Sequence, residues 1–347
     1  MKRKDFLKSG LMSGALVGSS MMASALPIDN LKEEINKRNI IKINDDLFYN
    51  VKNDEEVVVE RPVSGKPHQG KVLLAIQAHS DDIPLFAGGL VAKLMDEGYT
   101  GYLLRTSNDD KGNALGNQID SDNIAKAYGM KKAYNFFYPH HQLDNMSIQD
   151  FKGRLILLIR LLKVDTIVCW DPWEHYDENP DHYTTGRAVE AARWMAGMGT
   201  DYPEQLDAGL KPHRPLVCYY YSRHQKNLNR VVDISKYIDK KTEVNMLNVT
   251  KGPAGKGIGS RFKAKLAAEG KVLPILGTTD DEADFNYVKH FVFDIDSRRS
   301  NFHQISNKKL GEAYGLEWAE GFHYRSELED QLPNLIEKYV KENAKSK

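Results

Sequence analysis

His79, Asp81 and Asp82 lie within four residues of one another, directly after the apolar run Val72-Leu73-Leu74-Ala75-Ile76. An imidazole and two carboxylates at the mouth of a buried strand are costly to keep without a partner, and a divalent cation satisfies them. His79 and Asp82 are three apart where a strand should turn into a helix, so their side chains can converge on one point. About a hundred residues further on, Asn179-Pro180-Asp181-His182 precedes an amphipathic stretch. His182 can complete a three-ligand set with one position left for water, the open geometry of a catalytic zinc site. Asp81 is then the candidate general base for that water, and Asp181 the candidate acceptor for an imidazole N–H. The same residues have a purely structural alternative. Asp81 and Asp82 can cap a helix beginning near Pro84, and Asp181 can cap one beginning at Tyr183.

Such clusters act together only if the elements before them end at one edge. Strand-like runs fall near residues 71–78, 100–106, 134–138, 165–170 and 215–222. Between them, Leu85 to Glu97, Gln118 to Tyr128, Ile148 to Leu162 and Tyr183 to Met195 carry apolar residues at three- and four-residue spacing. Alternating strands and helices predict an α/β fold with a mostly parallel sheet, elaborated by insertions. Ligands of such sheets bind beyond the carboxyl ends of the strands, where both clusters fall. Residues 26–70 read as an irregular leader segment, 71–347 as the domain proper, and 240–290 as an insertion. The run Lys251 to Gly259 has Gly-x-Gly-x-Gly spacing but no strand leading into it, and reads as a surface loop before it reads as a phosphate cradle. Cys169 and Cys218 each sit inside an apolar strand and read as buried core. Leu328 to Lys345 is a charged amphipathic helix.

The stretch Ala78-His79-Ser80-Asp81-Asp82-Ile83, with Gly88-Gly89 behind it and Asn179-Pro180-Asp181-His182 further on, resembles the PIG-L/LmbE-like zinc-dependent N-deacetylases. Their signature reads A-H-P-D-D-E, then G-G, then H-P-D-H. Thr106-Ser107-Asn108-Asp109 and Trp318-Ala319-Glu320-Gly321-Phe322 extend the resemblance to roughly residues 70–325. It implies a Rossmann-like three-layer fold, one zinc ion on His79, Asp82 and His182, and Asp81 as general base. The implied reaction removes an N-acetyl group from an N-acetylated sugar or glycoconjugate, typically an N-acetylglucosamine unit. Three positions depart from the signature: Ser80 replaces proline, Ile83 replaces glutamate, and Asn179 replaces a histidine that serves the leaving amine or the oxyanion. Asn179 can donate a hydrogen bond but cannot titrate. His175 on the same loop is the candidate acid, with His224 and His323 as alternatives and Tyr176 as a further oxyanion donor. Trp170, Trp173, Tyr176 and Trp194 are candidate sugar-stacking surfaces, with core packing the alternative for Trp170 and Trp194.

Composition narrows the remaining classes. Lysine plus arginine and aspartate plus glutamate both number 48, so nothing electrostatic favours nucleic acid or an anionic membrane. Lys2-Arg3-Lys4, an apolar stretch from Leu11 to Met22 and Ala23-Ser24-Ala25 read as an export signal over residues 1–25. Arg3 to Lys8 resembles a twin-arginine signal. The expectation is therefore an exported, periplasmic or secreted protein with no stable membrane insertion after signal removal, acting on a small-molecule or oligosaccharide substrate. The alternatives are an exported metal- or carbohydrate-binding protein of the same fold with lost or weak turnover, and a hydrolase of another small amide. A nucleotide-binding Rossmann domain is disfavoured, because carboxylates replace glycines in the first turn and would repel a pyrophosphate.

Overall fold

Gly101 and Thr106 show how the layers are built. Five residues apart on one strand, they point to opposite faces of the sheet. A side chain at Gly101 would run into Met95 of the helix before it, whereas the Thr106 hydroxyl meets that of Thr185 at 2.9 Å on a later helix. Helices therefore cover both faces. The computed structural model describes residues 57–109, 114–174, 177–223, 226–249, 255–294, 306–327 and 335–345. The expected export signal lies outside these residues, as do His175, Tyr176 and His224. No helix among them is long and apolar enough to cross a membrane.

The strands are β1 (Val58–Glu60), β2 (Val72–Gln77), β3 (Thr100–Ser107), β4 (Lys132–Tyr138), β5 (Thr166–Trp170), β6 (Val217–Tyr221), β7 (Arg230–Asp233) and β8 (Ala319–Ser326). They form one sheet in the order β1-β7-β8-β6-β5-β2-β3-β4. All pairings are parallel except those of β8, which runs antiparallel to β6 and β7. Val58–Glu60 falls in the segment read from sequence as irregular leader, and joins the sheet as its edge strand. From β2 the chain moves outward through β3 and β4, then returns to the other side of β2 as β5. The strand order reverses there, and a crevice opens at the carboxyl ends of β2 and β5.

The helices are α1 (Asp82–Asp96), α2 (Ala114–Ala127), α3 (Ile148–Leu162), α4 (Pro180–Ala196), α5 (Pro203–Asp207), α6 (Ile238–Met246), α7 (Ile258–Ala268), α8 (Asp280–Tyr287), α9 (Asn307–Ala313) and α10 (Leu335–Asn343). Helix α1 packs on α6, and α3 on α4. Leu73 to Ile76, Ile167 to Trp170 and Leu90 to Leu94 supply much of the central core, and both cysteines are buried in it as free thiols. Gly186 lets α4 approach the end of β5, since a Cβ there would stand 2.9 Å from the Trp170 carbonyl oxygen.

Two features of the sequence find structural explanations. Helix α1 is interrupted at Ala87 (φ −136°), and the Glu320 carboxylate accepts from the buried N–H groups of Gly89 and Leu90, which that break would otherwise leave unpaired. Lys241 pairs with Glu320 at 2.7 Å, and both are fully buried. In the glycine-rich segment, Gly257 N–H and Ser260 N–H both donate to Asp284, so a carboxylate already occupies the start of α7. Gly259 packs directly on the backbone of Ala283.

Candidate metal centre

Burial and hydrogen bonding fix His79, Asp82 and His182 before any ion is considered. Asp82 opens α1 directly beyond β2, yet its Oδ2 does not cap the helix. It accepts from the N–H groups of Ala78 and His79, both at 2.8 Å, and from the Trp170 indole N–H at 2.9 Å. Asp81 stands at the N-cap position with no side-chain capping bond, and the first-turn N–H of Ile83 goes instead to the Gln77 side chain. The capping alternative therefore fails for both carboxylates.

His182 lies in the first turn of α4, with the Trp170 ring stacked on it at 3.8 Å between centroids. Its Nδ1 is 2.6 Å from Asp177 Oδ2, and His79 Nε2 is 3.1 Å from Asp181 Oδ2. Ionised carboxylates only accept, so each outer ring nitrogen carries the proton and each inner one presents a lone pair. Those inner atoms, His79 Nδ1 and His182 Nε2, face each other at 3.0 Å, with Asp82 Oδ1 at 3.7 and 3.6 Å. Three acceptors with no proton among them converge in a buried space, an arrangement that calls for a cation. Ligands of a tetrahedral zinc ion at about 2.0–2.1 Å stand about 3.3 Å apart, close to these separations. The residues present fit the metal.

The electrostatics agree. Burial opposes a charge on Asp82, yet the imidazoles of His182 and His79 and the His79 N–H hold its carboxyl below the usual range. Asp177 and Asp181 are likewise held low against burial, by His182 and Arg223 in one case and by His79 and the N–H groups of His141 and Leu143 in the other. For His182 burial prevails and pushes the imidazole down, toward the neutral form that binds metal.

The structure thus brings together His79, Asp82 and His182, with Asp181 as an orienting partner and Asp81 half-buried between the first two ligands in sequence. Asn179 is the N-cap of α4: its oxygen accepts from Asp181 N–H at 3.0 Å, and its amide nitrogen lies 3.4 Å from His141 Nε2. His323 is held by Asp171 at 3.2 Å, on the Trp173 side of the β5 loop. Trp170 is core, Trp173 is partly exposed, and Trp194 is exposed three turns beyond His182.

Sequence reasoning missed Asp177, His140 and His141. Asp177 had no motif to mark it. The two histidines follow β4, a strand without a recognised ligand cluster, and their rings stack at 3.6 Å beside His79. His141 holds a left-handed backbone (φ 55°), a strained conformation for a residue with a Cβ. With His79 they form a second group whose nitrogens lie within 4.8 Å of one another. The departures from the signature also become intelligible. Ser80 donates its backbone N–H to Asp109 at 3.0 Å and its hydroxyl to Asn248, a backbone bond that proline cannot make. Ile83 is fully buried in the core.

Residues 74–193 match the family described as PIG-L, GlcNAc-PI de-N-acetylase. Over that stretch the chain is similar to the PIG-L/LmbE-like family. A diacetylchitobiose deacetylase from Thermococcus kodakarensis is 28% identical over 181 residues, covering 49% of this chain and 66% of that enzyme, just under two thirds of its length. The PIG-L/LmbE-like fold is shared with solved structures. N,N'-diacetylchitobiose deacetylase from Pyrococcus horikoshii superposes with a TM-score of 0.56 at 20% identity, over 76% of this chain and 87% of that one. A 4-carboxy-2-hydroxymuconate hydratase from Pseudomonas putida superposes with a TM-score of 0.50 at 15% identity, over 73% and 95%. A hydratase on the same architecture means that the reaction must be argued from the site.

Proposed function

We propose that this protein is a metal-dependent N-deacetylase that hydrolyses the acetamide of an N-acetylated sugar or glycoconjugate, releasing acetate and a free amine. The observation that carries the reading is the buried convergence of His79 Nδ1, His182 Nε2 and Asp82 Oδ1, each oriented by a hydrogen bond on its far side. These three residues would hold one zinc ion. When bound, the ion supplies positive charge for the amide oxygen and lowers the pKa of water to about 7. Asp81 takes the proton of the attacking water, and addition to the carbonyl is followed by loss of the amine. His141, whose ring touches Asn179, is placed to give the departing nitrogen its proton in the role that Asn179 cannot fill. His175, outside the described residues, is the other candidate. Asn179 keeps its share in the site by capping α4 and so setting the position of His182.

The N-terminal signal-like segment supports export to the periplasm or beyond. The test is direct: purify the protein, measure its metal, and assay acetate release from N-acetylated saccharides with and without a chelator. Chelator-sensitive release supports the reading. A metal-loaded protein that releases acetate from no saccharide overturns it.

A further inference from the structure

The loop after β5 runs from the metal centre into a second cavity. Trp170, which touches both His182 and Asp82, is followed by Asp171, whose carboxylate accepts from the Trp173 N–H at 2.8 Å and lies 3.2 Å from His323 Nδ1. The Trp173 indole is braced by Tyr220 and His323, at 5.8 and 5.2 Å between centroids, and by the Arg325 guanidinium at 5.4 Å. It nevertheless remains 38% exposed. A large aromatic ring held on several sides yet left in contact with solvent is a fixed platform.

The platform lines a cavity of about 410 Å³ together with Pro172, Glu174, Arg187, Glu190 and Ala191, a volume within the range of small-ligand sites. Glu190 is already engaged by Arg193 and Tyr220. Arg187 lies over the Tyr183 ring at 5.4 Å and has no carboxylate within ion-pair reach among the described residues. Its planar fork is suited to a carboxylate. Arg187 and Glu190 stand about 7.5 and 12 Å along the α4 axis from His182. The cavity is thus too far along the helix to be the acetyl slot, and near enough to receive the next unit of an extended substrate.

We propose that this cavity is a subsite for a second sugar ring that bears a carboxylate, stacked on Trp173 with its anionic group on Arg187. The assignment rests on the deacetylase reading and narrows it to an acidic oligosaccharide or glycoconjugate. Stacking between a sugar face and an indole supplies contact area, and the guanidinium supplies the discrimination between acidic and neutral units.

The test uses the metal-loaded protein with three N-acetylated substrates: a monosaccharide, a neutral disaccharide and a disaccharide whose second ring is a uronic acid. Calorimetric titration with the corresponding uronate-bearing disaccharide lacking an acetyl group reads binding without turnover. The parent should show a KM for the acidic disaccharide about tenfold below that for the neutral one. Arg187→Gln should erase that preference, Arg187→Lys should restore part of it, and Trp173→Ala should raise KM for both disaccharides. Monosaccharide kinetics, kcat and metal content should be unchanged in all three variants. Equal KM values for acidic and neutral disaccharides in the parent, or a preference that survives Arg187→Gln, would overturn the proposal. Calorimetric binding that depends on Trp173 and Arg187 without acetate release from any substrate would support the subsite and sink the deacetylase reading instead.

Discussion

Asp177 offers a sharp test of how the metal centre is held, because nothing in the signature points to it. Its side chain is 1% exposed, with Oδ2 2.6 Å from His182 Nδ1 and Oδ1 accepting from Asn179 N–H at 2.9 Å. Arg223 stands 3.7 Å away. In Asp177→Asn the amide has one oxygen where the carboxylate has two. If that oxygen keeps the imidazole, the new NH2 group faces the Asn179 N–H and Arg223, donor against donor. If the amide turns round, His182 faces a donor and must take the opposite tautomer, with its proton on the nitrogen meant for the ion. Either outcome weakens the ligand set, and substitutions of this kind typically cost 10–100-fold in metal affinity, or about 1.4–2.7 kcal/mol. The assay is zinc titration of the stripped protein against a fluorescent chelator, with Glu178→Gln as the neighbouring exposed control. An affinity within twofold of the parent, with an unchanged circular dichroism melt, would refute the claim that Asp177 sets the tautomer of His182.

Other expectations follow from the same geometry. Asp81→Asn should keep zinc and lose acetate release by about 10²–10⁴-fold, whereas His79→Ala and Asp82→Ala should lose the metal itself, as read by elemental analysis. The metal-free protein should lose stability on acidification. The carboxyls of Asp82, Asp177 and Asp181 are depressed in the folded state, so their contribution is complete above the usual carboxylate range and is lost as pH falls through the folded values. His182, also depressed, adds a loss that begins near its unfolded value of about 6.5, because only the unfolded chain takes up that proton readily. Thermal melts between pH 8 and 3 in chelator check this, and a melting temperature that rises on acidification would contradict it. Lys241→Met leaves Glu320 buried without its cation and should cost about 3–5 kcal/mol in urea unfolding. The double variant Lys241→Met with Glu320→Gln should lose less than the single one, and a larger loss would show that the pair is not coupled in this way.

The chain's own residues determine the parts of this protein that depend on local pattern. The apolar run Val72 to Ile76, the helical spacing from Ile148 to Leu162 and the His79, Asp82 and His182 trio are legible because strand, helix and ligand chemistry each need particular residue types at short separations. The antiparallel strand β8, the edge strand β1 and its neighbour β7 are not legible in this way. They carry polar or charged residues, such as Glu320 and Arg230, whose partners lie on distant elements. Tertiary structure alone decides that β5 returns beside β2, which brings Trp170, Asp177 and His182 to His79 across about a hundred residues. It also decides that Asn179 serves as a helix cap, that His140 and His141 stand beside the first ligand, and that Trp173 remains exposed over a cavity. Ligand identity follows from side-chain chemistry, whereas orientation of each ligand depends on hydrogen-bond partners that only the folded chain assembles.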